Sequence, residues 1–421
     1  MLKSYQLDNG IRIILERIPH FRSASIGLWF LAGSVYEKPS ENGLSHFIEH
    51  MLFKGTQQRT ARQIAEVMDS VGGQLNAFTA KEYTCFYCKV MDEHIDLGLN
   101  LLSDMLLHSL FDKGDMAREK SVILEEINMY DDSPEDLVHE LLSKAYFGQH
   151  PLAMPILGTS EQLERYARKD MLDFMGKYYT PDRLVISAAG NFNEDELVER
   201  IERYFGDWHR KGCVTVQNKA DSPGTDILFI RKEIEQVHLS LAFPGIGTGS
   251  DDIYPMLILN NLFGGGMSSR LFQKIREDRG LAYSVFSYPS NYLAGGMYCI
   301  YAGMKPSQAD EVLRLILHEV NLLREKGFSE EEFHMAREQL KGNYILSMES
   351  TESRMNALGR SRLLTEKVMT PSEIIGKIDR TTTEDVLHII RSTFQPGKTA
   401  AALVGAEDRT DKLNKLIGGG I

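Results

Sequence analysis

Residues 45–55 read SHFIEHMLFKG, and residues 255–265 read PMLILNNLFGG. Aligned on their Leu-Phe pairs, both are apolar stretches of one length that end on glycine, which reads as the same helix written twice. Each follows a strand-like run, SIGLWFL at 25–31 and VHLSLAF at 237–243. Further along, MAREK at 116–120 answers MAREQ at 335–339. Near the ends of the halves, VISAAGNFNEDELVERI at 185–201 answers AALVGAEDRTDKLNKLI at 401–417. Matches in one order along both halves point to two copies of one α+β fold. Strand signals at 4–8 and 11–17 flank Asn9-Gly10, a dipeptide that tight hairpin turns prefer. Strands at 74–79, 82–91 and 183–190 alternate with helices near 60–71, 93–110, 113–130, 134–147, 160–178 and 193–205. The expected fold class is α+β: two homologous domains, each a mainly antiparallel β-sheet with helices packed on one face. The expected boundaries are 1–212, a polar Gly- and Pro-containing linker at 213–225, and 226–421.

The two copies differ in their ionisable residues. In the alignment His46 falls on Met256, Glu49 on Leu259 and His50 on Asn260; aligning the MARE tetrads puts Glu126 on Ile345. A residue needed to make the helix would stand in both copies, so a residue present in one copy is better explained by chemistry. His46 and His50 are four apart and project from one helix face one turn apart, so their imidazoles can meet at one metal ion. Zinc suits imidazole. Glu49 lies on the adjoining edge of that face, where it can sit beside the metal and accept a proton from an acidified water. Leu44, Phe47, Ile48, Met51, Leu52 and Phe53 surround these groups on nearly all sides, as on a buried helix. Ionisable groups there are costly unless paired or bound to metal.

A catalytic zinc usually takes three protein ligands and keeps one open position. The segment MAREKSVILEEINMY, 116–130, offers Glu119 and Glu126, seven apart and therefore on one helix face. Glu125 points about 100° away from Glu126. Spacing leaves open which of Glu119 and Glu126 ligates and which supports from behind.

The wider composition sets limits. The chain has 421 residues, enough for two domains, and a hydrophobic fraction of 43%, ample for sizeable cores. A net charge of −12 argues against nucleic acid as a partner. No run of about 18 apolar residues marks a membrane span, and the N-terminus lacks the apolar core of a signal peptide. Four cysteines give no disulfide framework. Cys85 and Cys88 spell CxxC, yet on a strand an offset of three puts them on opposite faces. The expected location is the cytoplasm. The triple glycine at 264–266 lacks the Lys of a phosphate-binding loop.

HFIEH, followed 76 positions after its second His by the second Glu of ILEEI, resembles the inverted zinc motif of the pitrilysin/insulinase (M16) metallopeptidases. The likeness is to the shorter branch, which includes mitochondrial processing peptidase and bacterial relatives, and it spans essentially the whole chain. The resemblance implies a zinc metalloendopeptidase with one Zn2+ per chain. It makes His46, His50 and Glu126 the ligands, Glu49 the general base and Glu119 the supporting carboxylate of the catalytic set. LNAFTAKEYTCFYCKV resembles the family's edge strand, so Asn76 and Ala77 would bind an extended substrate backbone by strand addition. IREDRGLAY resembles the segment that reaches into the active site, giving Arg276 and Tyr283 the substrate carbonyl and the oxyanion to bind. Arg279 holds the Arg role if the register slips. The family's chamber of four such units implies a homodimer acting on short peptides or unfolded polypeptides. The other readings of the same residues are a non-catalytic binding or assembly subunit, and a metalloenzyme of different chemistry such as an amidase or esterase.

Overall fold

The computed structural model describes residues 2–212, 220 and 224–420. Asn9-Gly10 makes the expected turn, with Gly10 at φ +98° and Asn9 Oδ1 accepting from Ile11 N at 3.2 Å. That turn pairs β1 (Leu2–Gln6) with β2 (Arg12–Arg17). β3 (Ser23–Phe30) is buried from its second residue onward, as its near-continuous apolar run requires. β4 (Gln74–Thr79) and β5 (Thr84–Met91) form a second hairpin, and β6 (Leu184–Gly190) inserts between β2 and β3. The order is β1-β2-β6-β3-β5-β4, with β2 and β6 parallel and the other pairs antiparallel. β4 is therefore an edge strand.

The second sheet contains β7 (Ile227–Arg231), β8 (Val237–Pro244), β9 (Ala282–Tyr292), β10 (Gly295–Met304) and β11 (Ala400–Gly405). Its order is β7-β11-β8-β10-β9, and its one parallel pair is β7 with β11. Without β1, the first sheet has this same connectivity, parallel pair included. The repeat seen in the sequence is thus a repeat of topology.

Helices α1 (Leu44–Leu52), α2 (Ala61–Asp69), α3 (Ile95–His108), α4 (Lys113–Asp132) and α5 (Pro134–Phe147) follow the expected positions within a few residues at each end. The chain forms two compact units, and their division crosses the halves of the sequence. One unit comprises Met1–Ile127, Met154–Val216 and Leu346–Thr370; the other comprises Asn128–Ala153, Gln217–Ile345 and Pro371–Ile421. α5 thus packs on the second sheet, against β7, β8 and β11. In return, helix Thr351–Leu364 packs on the first sheet, against β2, β3 and β6. The linker expected at 213–225 falls mostly outside the described residues.

In the first unit α3 covers one sheet face, with Gly98 against Cys88: a Cβ there would lie 2.7 Å from the sulfur. Trp29 and Cys85 face the other way into a core with Ile14, Val185, Met355 and Leu358. Both thiols are fully buried, and burial raises both above the ordinary thiol range, Cys88 to about 12. Trp29 Nε1 donates to Ser187 Oγ at 2.8 Å, and Ser187 Oγ donates to Met355 O at 3.0 Å. The backbone at Gly359 lies so close to the indole that a Cβ would stand 2.1 Å from Nε1. Among the described residues, no helix is long and apolar enough to cross a membrane.

One expected helix is broken. Residues 160–178 form two helices, Ser160–Arg165 and Arg168–Tyr178. Tyr166 is extended between them, its hydroxyl donating to Asn42 O at 2.7 Å. Lys120 Nζ donates to Glu164 O and Tyr166 O, each at 2.7 Å, satisfying carbonyls left open by the break.

Candidate functional site

α1 starts on Gly43 at φ +92°, where a Cβ would meet Leu157 O at 2.5 Å. Its first N–H groups need acceptors. The buried carboxylate of Glu37 supplies them, accepting from Gly43 N at 2.8 Å, Ser45 N at 2.7 Å and Asn42 Nδ2 at 3.1 Å. Burial pushes the Glu37 carboxyl up, against the pull of these hydrogen bonds. Phe47, Ile48, Met51 and Leu52 bury the rest of the helix at 1% exposure or less. The helix is thus fixed at its start and along its apolar face.

On the remaining face His46 and His50 stand with ring centroids 4.6 Å apart. α4 brings Glu126 to them: its Oε2 lies 3.6 Å from His46 Nε2 and 3.5 Å from His50 Nε2. Four ligands about 2.05 Å from a tetrahedral zinc stand about 3.4 Å from one another. The two measured separations therefore fit the edges of such a site. One donor atom each from His46, His50 and Glu126 lie within 4.8 Å of one another; among the described residues this is the one such group of three or more His, Cys, Asp or Glu. Burial, with His50 beside it, lowers His46 to about 3, so it is neutral at neutral pH, the form that ligates. His46 Nδ1 is buried without a hydrogen-bond partner, so Nε2 is the nitrogen with a counterpart in the cluster.

Glu119, 5% exposed, stands behind His50. Its Oε2 accepts from His50 Nδ1 at 3.1 Å, and its Oε1 lies 2.7 Å from Lys54 Nζ. A carboxylate can only accept, so Nδ1 carries the proton and the Nε2 lone pair faces Glu126. In space Glu126 converges with both imidazoles, and Glu119 contacts one of them. Glu125 is exposed.

Glu49 is outside the convergent trio. Its Oε2 accepts from Thr79 Oγ1 at 2.5 Å. Burial raises its carboxyl above the usual range, with Thr79 pulling it back down. Asn76 and Ala77 lie on the same strand as Thr79, the edge strand β4, with Ala77 N donating to Asn76 Oδ1 at 2.9 Å. A cavity of ≈ 690 Å³ borders Asn76, lined also by Phe53, Ile64, Met68 and Glu352 among others.

Arg276 and Tyr283 belong to the second unit and lie together there. Arg276 sits on a π-helical turn, Phe272–Glu277, a local distortion often found at functional sites. Its guanidinium carbon is 4.8 Å from the Phe272 ring centroid and 5.5 Å from that of Tyr283, which is 78% exposed. Arg279 lies 3.6 Å from Glu311 instead. In the second copy of α1, Ile253–Phe263, Met256 and Leu259 are fully buried in the unit's core. Asn260 there accepts from Ser287 Oγ at 2.9 Å. Sequence reasoning did not single out Thr79, Glu37 or Lys54. Thr79 could have been found as the polar residue two positions beyond Ala77, on the same strand face.

Residues 12–160 match the family described as Insulinase (Peptidase family M16), and residues 165–340 match the Peptidase M16 inactive domain. A Bacillus subtilis protein described as an uncharacterized zinc protease is 47% identical over 394 residues, covering 94% of this chain and 96% of its own. One from Streptomyces coelicolor, described likewise, is 38% identical over 398 residues, covering 92% and 86%. Among solved structures, a peptidase M16 inactive domain from Pseudomonas fluorescens superposes with TM-score 0.91 at 19% identity, covering 97% of this chain and 98% of that one. A protease from Helicobacter pylori does so with TM-score 0.90 at 18% identity, covering 96% and 99%. At those identities the structures speak for the fold, and it is the sequence relatives, joined to the two family matches, that show this chain to belong to the M16 family of zinc peptidases.

Proposed function

We propose that this chain is a zinc endopeptidase acting on short or unfolded polypeptides. His46, His50 and Glu126 would hold the metal, and Glu49 would be the general base. The observation that carries the reading is the division of labour on α1 and α4. Three groups converge at the spacing of a tetrahedral site, and a fourth, Glu49, is held to one side by Thr79. Bound zinc would supply positive charge that polarises a scissile carbonyl and acidifies water. Glu49 accepts the proton as water oxygen adds to the carbonyl carbon, then delivers it to the amide nitrogen as the C–N bond breaks. Burial that raises the Glu49 carboxyl makes it a stronger base for this exchange. Glu119 keeps His50 in the ligating tautomer. By resemblance, an extended peptide would pair with the edge strand β4 at Asn76 and Ala77, displacing the Asn76 side chain from Ala77 N, and Arg276 and Tyr283 would take the oxyanion role.

The test measures zinc content and cleavage of an unstructured peptide, with and without chelator, for the wild type and Glu49→Gln. Both should hold about one zinc per chain, and only the wild type should cleave, in a chelator-sensitive way. Two metal-free proteins would turn the reading toward a binding subunit. Full activity in Glu49→Gln would remove Glu49 as the base.

A further inference from the structure

Thr79 is the last residue of β4, and its hydroxyl is the partner of Glu49 at 2.5 Å. We propose that Thr79 is the positioning residue that aims the Glu49 carboxylate, and so makes the base an attachment of the edge strand. The inference rests on the reading of Glu49 as base.

The direction of the hydrogen bond follows from the neighbours. Opposite Thr79 in the ladder is Thr84, fully buried. The Thr84 hydroxyl has one proton, and Ala32 O takes it at 2.8 Å; Thr79 Oγ1 is a distant second at 3.5 Å. The Thr79 proton then goes to the carboxylate, which can only accept. A charged acceptor makes this one of the stronger classes of hydrogen bond. It occupies Oε2 and fixes the side-chain torsions, leaving Oε1 to take a proton.

The strand end that holds Thr79 is itself held. Beyond it the turn closes with Ala80 N donating to Tyr83 O at 2.8 Å. The loop before α1 presses on the same turn: Val35 N donates to Lys81 O at 2.9 Å. At Gly33 a Cβ would stand 2.3 Å from Ala80 O and 2.6 Å from Lys81 O, so only glycine allows this approach. Thr79 is thus a rigid mount. Glu49, on a helix side chain with several free torsions, is the part that needs one. Because the mount is β4, a peptide laid along that strand is registered against the element that aims the base. Misplacing a reacting group by about 1 Å can cost about a hundredfold in rate.

The experiment compares wild type, Thr79→Val and Thr79→Ser on a fluorogenic unstructured peptide, with zinc content and thermal melting measured on each. Valine keeps the shape and loses the donor; serine keeps the donor. Thr79→Val should lower kcat at least about tenfold, with KM, zinc content and melting close to wild type, and Thr79→Ser should recover most of kcat. Combined with Glu49→Gln, Thr79→Val should cause no further loss, because the aimed group is already disabled. If Thr79→Val does not fold, Thr79→Ala takes its place with the same expectations. Wild-type kcat in Thr79→Val, a loss confined to KM, or a Thr79→Ser protein as impaired as Thr79→Val would overturn the proposal. Glu49→Gln separates the two levels: if it is inactive while Thr79→Val is fully active, only the role of Thr79 fails. If Glu49→Gln is itself active, the reading beneath it fails.

Discussion

Replacing Glu119 by Gln should weaken zinc binding without emptying the site. The carboxylate makes two contacts that an amide cannot make together. Oε2 accepts from His50 Nδ1 at 3.1 Å and Oε1 meets the Lys54 ammonium at 2.7 Å. Both partners are donors, and an amide has one acceptor atom. Whichever way the glutamine turns, its NH2 faces a donor, so either His50 loses its orienting partner or Lys54 loses its counter-charge. Glu119 is 5% exposed, so water cannot readily replace the missing acceptor. Loss of such an orienting group behind a metal-ligating His typically costs about 10–100-fold in metal affinity, or about 1.4–2.7 kcal/mol. The assay is competition for zinc against a chelator of known affinity, followed by kcat at saturating zinc. Glu125→Gln is the internal control: it removes the same charge from α4 at an exposed position, and zinc affinity should stay within about twofold of wild type. Equal losses in the two variants would mean that net charge near the site matters and the His50 contact does not. An unchanged affinity in Glu119→Gln would refute the orienting role outright.

The second unit should lose stability in mild acid. His139 on α5 shares a hydrogen bond with Tyr288 at 2.7 Å, its ring packed near Phe286 and Tyr301, while His238 pairs with Tyr301 at 2.8 Å. Burial lowers His139 to about 4, with Asp136 opposing and His238 adding to the effect. The unfolded chain, titrating near 6.5, binds the proton first, so stability is fully present above about pH 6.5 and falls as pH drops toward 4, by about 3 kcal/mol at most. Urea unfolding across that range checks it, and a His139→Phe protein with an undiminished slope would contradict it. Separately, Gly359→Ala forces a Cβ onto an indole that its bond to Ser187 keeps in place. It should cost about 1–3 kcal/mol, read by fluorescence in urea, where only Trp29 and Trp208 report; an unmoved midpoint would count against this packing.

Much of this was legible in the sequence because it is local. The spacing of His46, Glu49 and His50 fixes their face on α1 by helix geometry alone, and Asn9-Gly10 fixes its turn by backbone chemistry. The comparison of the two copies marked the ionisable residues, since Met256 and Leu259 show what that helix carries when it needs only to be buried. Other features depend on partners distant in the chain. The pattern at 160–178 favours one helix, and a tertiary bond from Tyr166 to Asn42 overrides it. Glu119 and Glu126 are equivalent by spacing; the family resemblance assigns them different parts, and their different neighbours come from the position of α1 beside α4. Thr79 is one polar residue on a strand until Glu49 is seen 30 positions earlier to end on it. α5 buries Val138, Leu141, Leu142 and Ala145, and the helix Thr351–Leu364 buries Met355, Leu358 and Leu363; nothing local in either segment says which sheet it will find.

That last feature bears on how such a chain can be inherited. A duplicated gene ordinarily leaves two modules that can be separated, reordered or lost one at a time. Here a single cut near residue 213 would release a first fragment without the helix that shelters Trp29, and a second without the one that lies on β7, β8 and β11. Neither fragment would inherit a complete fold. The copy without the His-His-Glu group is therefore kept by a structural debt as well as by any part it plays in catalysis, and its sequence can drift in chemistry while the pair remains indivisible.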